Sequence, residues 1–262
     1  MLPGMPPSIR RTAKVLSPLV VMLGLLTAPA SASAFDFGVR GWWPLNEGKG
    51  QTVKDWSGNR NHGFLGATPN VDSADPSWIK GIFYGSGLNF GGDDFVQIKD
   101  SNSIEPKKFT LSLWVRAPQS PGQFSYLIAK GSNECLASSY GLWTASNGGI
   151  EFYIWNGSDT VRSNSAIPER IWDGRWHNVT ATYDGTSARL FIDGEVTGDP
   201  PGSSAPIDYE IPEGTLSFGA YRGSCDLLFS GDIDQVMLFS SVLPVEQIWD
   251  RWGFILNRPT YE

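Results

Sequence analysis

Chemistry-bearing residues are scarce in this chain. Its 262 residues include two cysteines, two histidines and four methionines, and only 18% are charged. Cys135 and Cys225 lie far apart and no Cys-x-x-Cys occurs, which excludes a thiolate zinc site. No Gly-x-Ser-x-Gly elbow, Gly-x-Gly-x-x-Gly turn or P-loop is present, so the motif-borne forms of serine hydrolysis and nucleotide binding are excluded too. Basic charge is in short supply. The 20 Lys and Arg face 27 Asp and Glu, a net charge of −7. Arg10, Arg11 and Lys14 are the only charged residues among the first 34, so the remainder is more acidic still, and the balance argues against a nucleic-acid partner, whose phosphates demand a basic face.

Long apolar runs are nearly absent. The one candidate, Val15 to Leu26, is interrupted by Ser17, Pro18 and Gly24 and falls short of the ~20 residues a membrane span needs. Arg10-Arg11 before it and Ala32-Ser33-Ala34 after it read as an export signal over residues 1–34, with a secreted, extracellular chain starting at Phe35. A membrane anchor is the competing reading. The twin arginines are followed by Thr12-Ala13, which weakens a twin-arginine route. Residues 35–262 contain no linker or repeat and read as one domain. In an oxidising compartment Cys135 and Cys225 would pair if the fold brings them together; two buried thiols are the alternative.

What the chain has in quantity is alternation. In Phe109 to Arg116 the odd positions are apolar and the even ones polar apart from Trp114, the signature of a half-buried strand. Ile150, Phe152 and Ile154 repeat it, which turns Glu151, Tyr153 and Trp155 to the opposite face. His177 to Tyr183 alternates again, and Ala188 to Ile192 runs into Asp193-Gly194, a dipeptide suited to a two-residue hairpin turn, with Glu195 to Thr197 returning. Further strands are expected at Val39 to Trp43, Gly87 to Phe90, Phe95 to Ile98, Ser125 to Lys130, Tyr140 to Trp143, Leu216 to Ala220 and Gly231 to Phe239. The fold class is therefore all-β: two antiparallel sheets packed as a β-sandwich, since each sheet must bury its apolar face. A short C-terminal helix is expected over Pro244 to Trp252, where Pro244 opens a helical spacing of Val245, Ile248, Trp249 and Trp252.

Several segments together resemble the laminin-G-like, concanavalin A-like jelly-roll domains. They are Trp43-Pro44-Leu45-Asn46-Glu47-Gly48-Lys49-Gly50, Asp55-Trp56-Ser57-Gly58-Asn59-Arg60-Asn61-His62-Gly63, Leu88-Asn89-Phe90 with Phe95-Val96, the Phe109 to Arg116 strand, Asp173-Gly174-Arg175-Trp176-His177-Asn178-Val179, Leu190-Phe191-Ile192-Asp193-Gly194, and Phe229-Ser230-Gly231-Asp232-Ile233-Asp234-Gln235-Val236. Each is weak alone; their order is specific. The resemblance covers nearly all of residues 35–262 and implies a jelly roll, but its members include lectins, adhesion modules, accessory domains, glucanases and lyases, so function must come from the site.

Retaining glycosidases need two carboxyls about 5 to 5.5 Å apart. The strand that resembles the glucanase Glu-x-Asp-x-x-Glu element places Asp232 and Asp234 on one face but holds no glutamate, which argues against that mechanism. A lyase would need a base beside an Arg or amide. His177 matches the family's structural Trp-His pair and His62 sits in a Gly and Asn-rich turn; Tyr140 or Tyr153 with Arg116 or Arg222 is the remaining lyase reading. The resemblance also implies a structural Ca²⁺ held by oxygen ligands, carried over to Glu47, Asp55, Asn59 and Asp234, the alternative being that these residues cap turns.

Eleven tryptophans all lie beyond residue 34, more than one sandwich core requires. Sugar C–H faces stack on indoles while hydroxyls bond polar neighbours. Tyr153 and Trp155 on one face, Tyr140 and Trp143 on a neighbouring strand, and the loop residues Trp172, Arg222 and Asp226 are the candidate glycan contacts. The leading expectation is thus a secreted, non-catalytic carbohydrate-binding or adhesion module with a polysaccharide or glycoconjugate partner. The alternatives are a polysaccharide-cleaving enzyme on the same scaffold and a protein-binding envelope component.

Overall fold

The computed structural model describes residues 38–247 apart from Tyr84, Pro201, Ser203, Ser204, Gly223, Ser224, Asp226, Val245 and Glu246. Strands follow in chain order as β1 (Val39–Trp43), β2 (Thr52–Val53), β3 (Gly63–Leu65), β4 (Ser77–Lys80), β5 (Ser86–Gly91) and β6 (Val96–Ile98). Next come β7 (Phe109–Arg116), β8 (Tyr126–Ser132), β9 (Tyr140–Thr144), β10 (Ile150–Trp155), β11 (Thr160–Arg162) and β12 (His177–Tyr183). The last are β13 (Ala188–Ile192), β14 (Glu195–Val196), β15 (Glu213–Phe218), β16 (Ala220–Tyr221), β17 (Leu227–Leu228) and β18 (Ser230–Phe239).

They make two antiparallel sheets. The first runs β14-β13-β12-β7-β18-β5-β4, with β1 also paired to β18; the second runs β11-β10-β9-β8-β15-β6-β3-β2. The sandwich read from the alternation is therefore present. The apolar positions of Phe109, Leu111, Leu113 and Val115 on β7 meet Ile150, Phe152 and Ile154 of β10 in one fully buried core, as layers that can hide only one face each require. Phe109 makes an edge contact with Phe152 at 5.7 Å and a tilted one with Tyr140 at 4.9 Å. The short helix expected over Pro244 to Trp252 is not among the described elements: of that stretch only Pro244 and Gln247 are described. Residues 1–34, read as the export signal, also lie outside the described residues. No helix among the described residues is long and apolar enough to cross a membrane.

Three tethers hold loops to the sandwich. Cys135 and Cys225 are joined by a disulfide across 90 residues, with Cα atoms 5.6 Å apart. Lys130, its side chain fully buried, donates to Asp100 at 2.9 Å, Glu105 at 2.8 Å and the Gly214 carbonyl at 2.7 Å. Asp234, almost fully buried on β18, accepts the Ile82 amide at 2.9 Å and so pins the loop that lays Phe83 edge-on against Trp114, 5.5 Å away. Trp114 is accordingly buried, though on the outer face of the first sheet under that loop and not between the sheets.

Burial pushes the Asp234 carboxyl up to about 7, only partly offset by the amides of Ile82 and Gln235. His177 is pushed up as well, chiefly by its hydrogen bond to Asp193 and, against desolvation, by Asp173. Both groups carry folded-state pKa values above their unfolded ones, so each contributes stability at low pH that is lost as pH rises through the folded value. For Asp234 the loss falls between pH ~4 and ~7 and is on the order of 2 to 4 kcal/mol; for His177 it begins above its ordinary value near 6.5. Thermal midpoints should therefore decline from pH 5 to pH 8, and Asp234→Asn should remove most of the decline below pH 7. A midpoint that rises over this range in the unmodified chain contradicts the assignment.

Candidate functional site

Strand alternation sorts the sequence-predicted contacts into two groups, and only one reaches solvent. Tyr140 and Trp143 are three residues apart on β9, so they cannot share a face. Tyr140 points into the core and donates its hydroxyl to the Ile104 carbonyl at 3.1 Å, whereas Trp143 sits on the outer face opposite Glu151. Tyr140 is thus corrected from ligand contact to core residue. Trp172 is corrected likewise: its indole N–H donates to the Gly148 carbonyl at 2.8 Å and its ring packs 6.3 Å from Phe229 inside the main core. Asp226 lies outside the described residues.

The outer face of the second sheet is partly filled. Tyr153 is 2% exposed, and its ring lies across Gly141, where a Cβ would come within 2.6 Å of it. Its hydroxyl meets the Tyr126 hydroxyl at 2.7 Å, the Ser138 amide at 3.0 Å and the Ser138 hydroxyl at 2.9 Å. Tyr126 packs in turn on Tyr221 of the β16–β17 hairpin, 5.1 Å between centroids. Tyr153, expected as a glycan contact, is therefore buried in a tyrosine pile, because the hairpin folds back over the sheet and the disulfide fixes it there. Burial drives the phenols of Tyr126, Tyr140 and Tyr153 well above the ordinary tyrosine value, which removes Tyr140 and Tyr153 as bases for a lyase at neutral pH.

Trp143 packs on the pile itself, 5.4 Å from Tyr126 and 5.5 Å from Tyr153 between ring centroids. Half-buried, it is flanked by Phe124 at 5.2 Å and by the Arg162 guanidinium 5.4 Å from its ring, with Arg162 paired to Glu151 at 3.1 Å; Trp155 borders the same cluster. On the same sheet a cleft of about 290 Å³ opens over β8, β15 and β6. Leu216 and Phe218 of β15 and Val96 and Ile98 of β6 enter the core, leaving Thr215, Ser217 and Gln97 to face this cleft. Arg222 closes one rim with its guanidinium 3.9 Å above the Phe95 ring. The floor depends on Gly131, whose φ of +74° and neighbours Ile211 and Glu213 leave no room for a Cβ.

The chemistry of this cleft is unusual for a protein interior. Ser132 lines it, and its buried Oγ has no hydrogen-bond partner among the described residues; a buried hydroxyl in that state carries a desolvation cost of roughly 1–3 kcal/mol unless something bonds it. The one carboxylate among its described lining residues is Glu213. Of this cleft's lining, the sequence reading had named Arg222 but not Gln97, Ser132, Thr215 or Ser217. Their signal was present in the alternation, as polar positions on strands whose alternate residues are apolar, but exposed polar residues are too common to stand out.

The four residues carried over for Ca²⁺ do not form a cluster: among the described residues no group of three or more acidic, His or Cys side chains could hold a metal. Asp55 accepts the amides of Trp42 at 3.0 Å, Ser57 at 2.8 Å and Asn61 at 2.9 Å and the Ser57 hydroxyl at 2.9 Å. Asn59 donates to the carbonyls of Val39 and Arg40, and Glu47 accepts the Lys54 amide. Asp55, ringed by N–H donors, does not suit a cation; Glu47 Oε2 is buried with no partner among the described residues, and Asp234, on β18, accepts the Ile82 and Gln235 amides.

A family model described as the concanavalin A-like lectin/glucanases superfamily matches residues 90–249. No curated protein is significantly similar in sequence. Among solved structures, domain 4 of AbnA, a GH43 extracellular arabinanase from Geobacillus stearothermophilus determined in complex with arabinotriose, superposes with a TM-score of 0.62 at 15% identity, covering 81% of this chain and 97% of that one. The binding domain of botulinum neurotoxin DC, in complex with rat synaptotagmin II, gives 0.59 at 14% identity over 83% of this chain and 52% of that one. A botulinum neurotoxin type C structure, whose cell entry depends on interaction with two ganglioside molecules, gives 0.58 at 13% over 83% and 51%. This chain thus spans about half the length of the toxin domains it resembles. At these identities the likeness is one of fold.

Proposed function

Because the chain belongs to the concanavalin A-like lectin/glucanases superfamily, we propose that it is a non-catalytic glycan-binding module, exported by way of residues 1–34, whose ligand sits in the cleft beside Arg222. The observation that carries this reading is the cleft's row of neutral hydrogen-bonding side chains. Gln97, Thr215 and Ser217 face it across two adjacent strands, and the buried Ser132 hydroxyl at its edge has no partner among the described residues. Sugar hydroxyls both donate and accept, so they bond such a surface without needing net charge. The volume lies at the low end of the ~300–1,000 Å³ range of ligand pockets, which suits one or two sugar units at the end of a chain. Arabinotriose, present with a structural relative of this fold, is a sensible first ligand in a wider panel.

The enzyme reading is disfavoured because Glu213 is the one carboxylate among the cleft's described lining residues, whereas hydrolysis of a glycosidic bond calls for two carboxyls around it. Calorimetric titration with arabinotriose and other neutral oligosaccharides tests the proposal. Thr215→Trp, which fills the cleft from a half-exposed position, and Gln97→Ala, which removes a donor and acceptor, are each expected to weaken binding at least tenfold with thermal midpoints unchanged. Binding by no glycan, affinity untouched by both variants, or release of reducing ends or unsaturated uronates by the purified chain overturns it.

A further inference from the structure

A second cleft, of about 410 Å³, opens on the outer face of the first sheet, away from the Arg222 cleft. Its floor is a cross-strand row. Asn89 on β5 and Arg116 on β7 both stand in register with Asp232 on β18. The Asp232 carboxylate accepts Asn89 Nδ2 on Oδ1 at 2.7 Å, and Arg116 Nε and Nη2 on Oδ2 at 2.7 and 2.6 Å. The Arg116 guanidinium also lies 4.7 Å from the Trp176 ring centroid. Asp232 is 8% exposed, so the row is held in place by its own contacts. The walls are equally constrained: the Gly174 amide donates to the Ala117 carbonyl at 3.0 Å, Ser120 Oγ donates to the Gly148 carbonyl at 2.7 Å, and Pro118 and Pro121 fix the loop between.

An ion pair alone would be a sheet staple. What goes beyond a staple is its position at the floor of an open, rigid cleft with donor and acceptor atoms side by side. The charges of Arg116 and Asp232 cancel, so an anion gains little here. Adjacent hydroxyls of a sugar ring present the complementary pattern: one donates to a remaining lone pair of Asp232 while its neighbour accepts from Arg116 or Asn89. We propose that this cleft is a second saccharide subsite, selective for uncharged sugars and read by Asp232, Arg116 and Asn89. It extends the glycan-binding reading but stands on separate residues. Two subsites on the two outer faces of one sandwich make a single chain bivalent, able to bridge two polysaccharide strands.

The test is a titration of the ¹⁵N-labelled chain with arabinotriose, xylotriose and cellotriose, following the Arg116 Nε–H and Asn89 side-chain amide signals beside the Thr215 and Ser217 amides. At least one neutral sugar should shift the Arg116 and Asn89 signals in a saturable way. Asn89→Ala, which leaves the Arg116–Asp232 pair in place, should weaken that event at least tenfold without moving the response at Thr215 or Ser217. Thr215→Trp should do the reverse. Equal melting curves exclude unfolding as the cause. Shifts confined to the Thr215 side overturn the second subsite and leave the first reading standing; shifts confined to Arg116 and Asn89 support the second and overturn the first. Galacturonate binding at Arg116 as tightly as the neutral sugars overturns the selectivity for uncharged ligands, and silence at Arg116 and Asn89 with every sugar overturns the proposal.

Discussion

Replacing Cys135 and Cys225 together by serine is expected to destabilise the chain by about 4 kcal/mol and to weaken the proposed glycan binding at the Arg222 cleft by at least tenfold. The stability figure follows from loop closure: a link across 90 residues removes denatured-state entropy worth about 4 to 5 kcal/mol at 25 °C on the chain-entropy model. The loss of affinity follows from position. Arg222 stands three residues before Cys225 and closes the cleft rim, so the disulfide anchors the segment that carries it. A second anchor remains, because the Tyr221 hydroxyl accepts the Asn133 amide at 2.9 Å and donates to the Ala137 carbonyl at 3.1 Å. The hairpin should therefore stay near the sheet in the variant but lose its fixed distance. Urea unfolding gives the first quantity and calorimetry the second. Unchanged affinity in a destabilised variant would mean that Tyr221 alone positions the rim.

Alternation in the sequence translated into strands with few errors. Phe109–Arg116, His177–Tyr183 and Ala188–Ile192 fall where the apolar periodicity places them. The missed strands are short ones such as Thr52–Val53, Gly63–Leu65 and Thr160–Arg162, where two or three residues cannot display a period. The site was harder to read. A period of two decides which residues share a face but not whether something lies on top of it. Tyr153 was assigned to the correct face, yet it is buried by Tyr126 and Tyr221, which come from strands about 30 and 70 residues away in the chain.

Loop position was a poor guide to exposure. Trp172, next to a short 3₁₀ turn at Pro168–Arg170, folds inward because its indole N–H finds the Gly148 carbonyl, a contact between segments whose proximity only the tertiary structure creates. Asp55 and Asn59 show the same limit from the opposite direction. Oxygen-rich turns suit both a cation and backbone amides, and the sequence holds no term that decides between them. In the structure three amides and one hydroxyl converge on the Asp55 carboxylate, a contact set that only the folded loop reveals.

Lys130→Met is expected to cost about 3 to 5 kcal/mol at pH 7, as breaking a buried charge pair from one side does. The Lys130 side chain is fully buried, yet nothing in the strand pattern singles it out; a lysine at that register would be assigned to solvent. Methionine fills the space but leaves three acceptors without their donor: Asp100, Glu105 and the Gly214 carbonyl. The cost is unequal among them. The Asp100 side chain is half exposed and can turn to water, whereas Glu105 is mostly enclosed and bears the larger penalty. The effect should also depend on pH with a defined sign. Burial works to raise the Asp100 value, but the hydrogen bond and charge of Lys130 outweigh it and hold the carboxyl below its ordinary 3.8. That contribution is present above the unfolded pKa and lost as pH falls through the folded one. Without Lys130 that contribution of Asp100 is gone, so the gap between the two proteins should be widest near pH 7 and shrink below pH 4. Urea unfolding at pH 7 and at pH 3.5 separates this from simple loss of packing, which would cost the same at both.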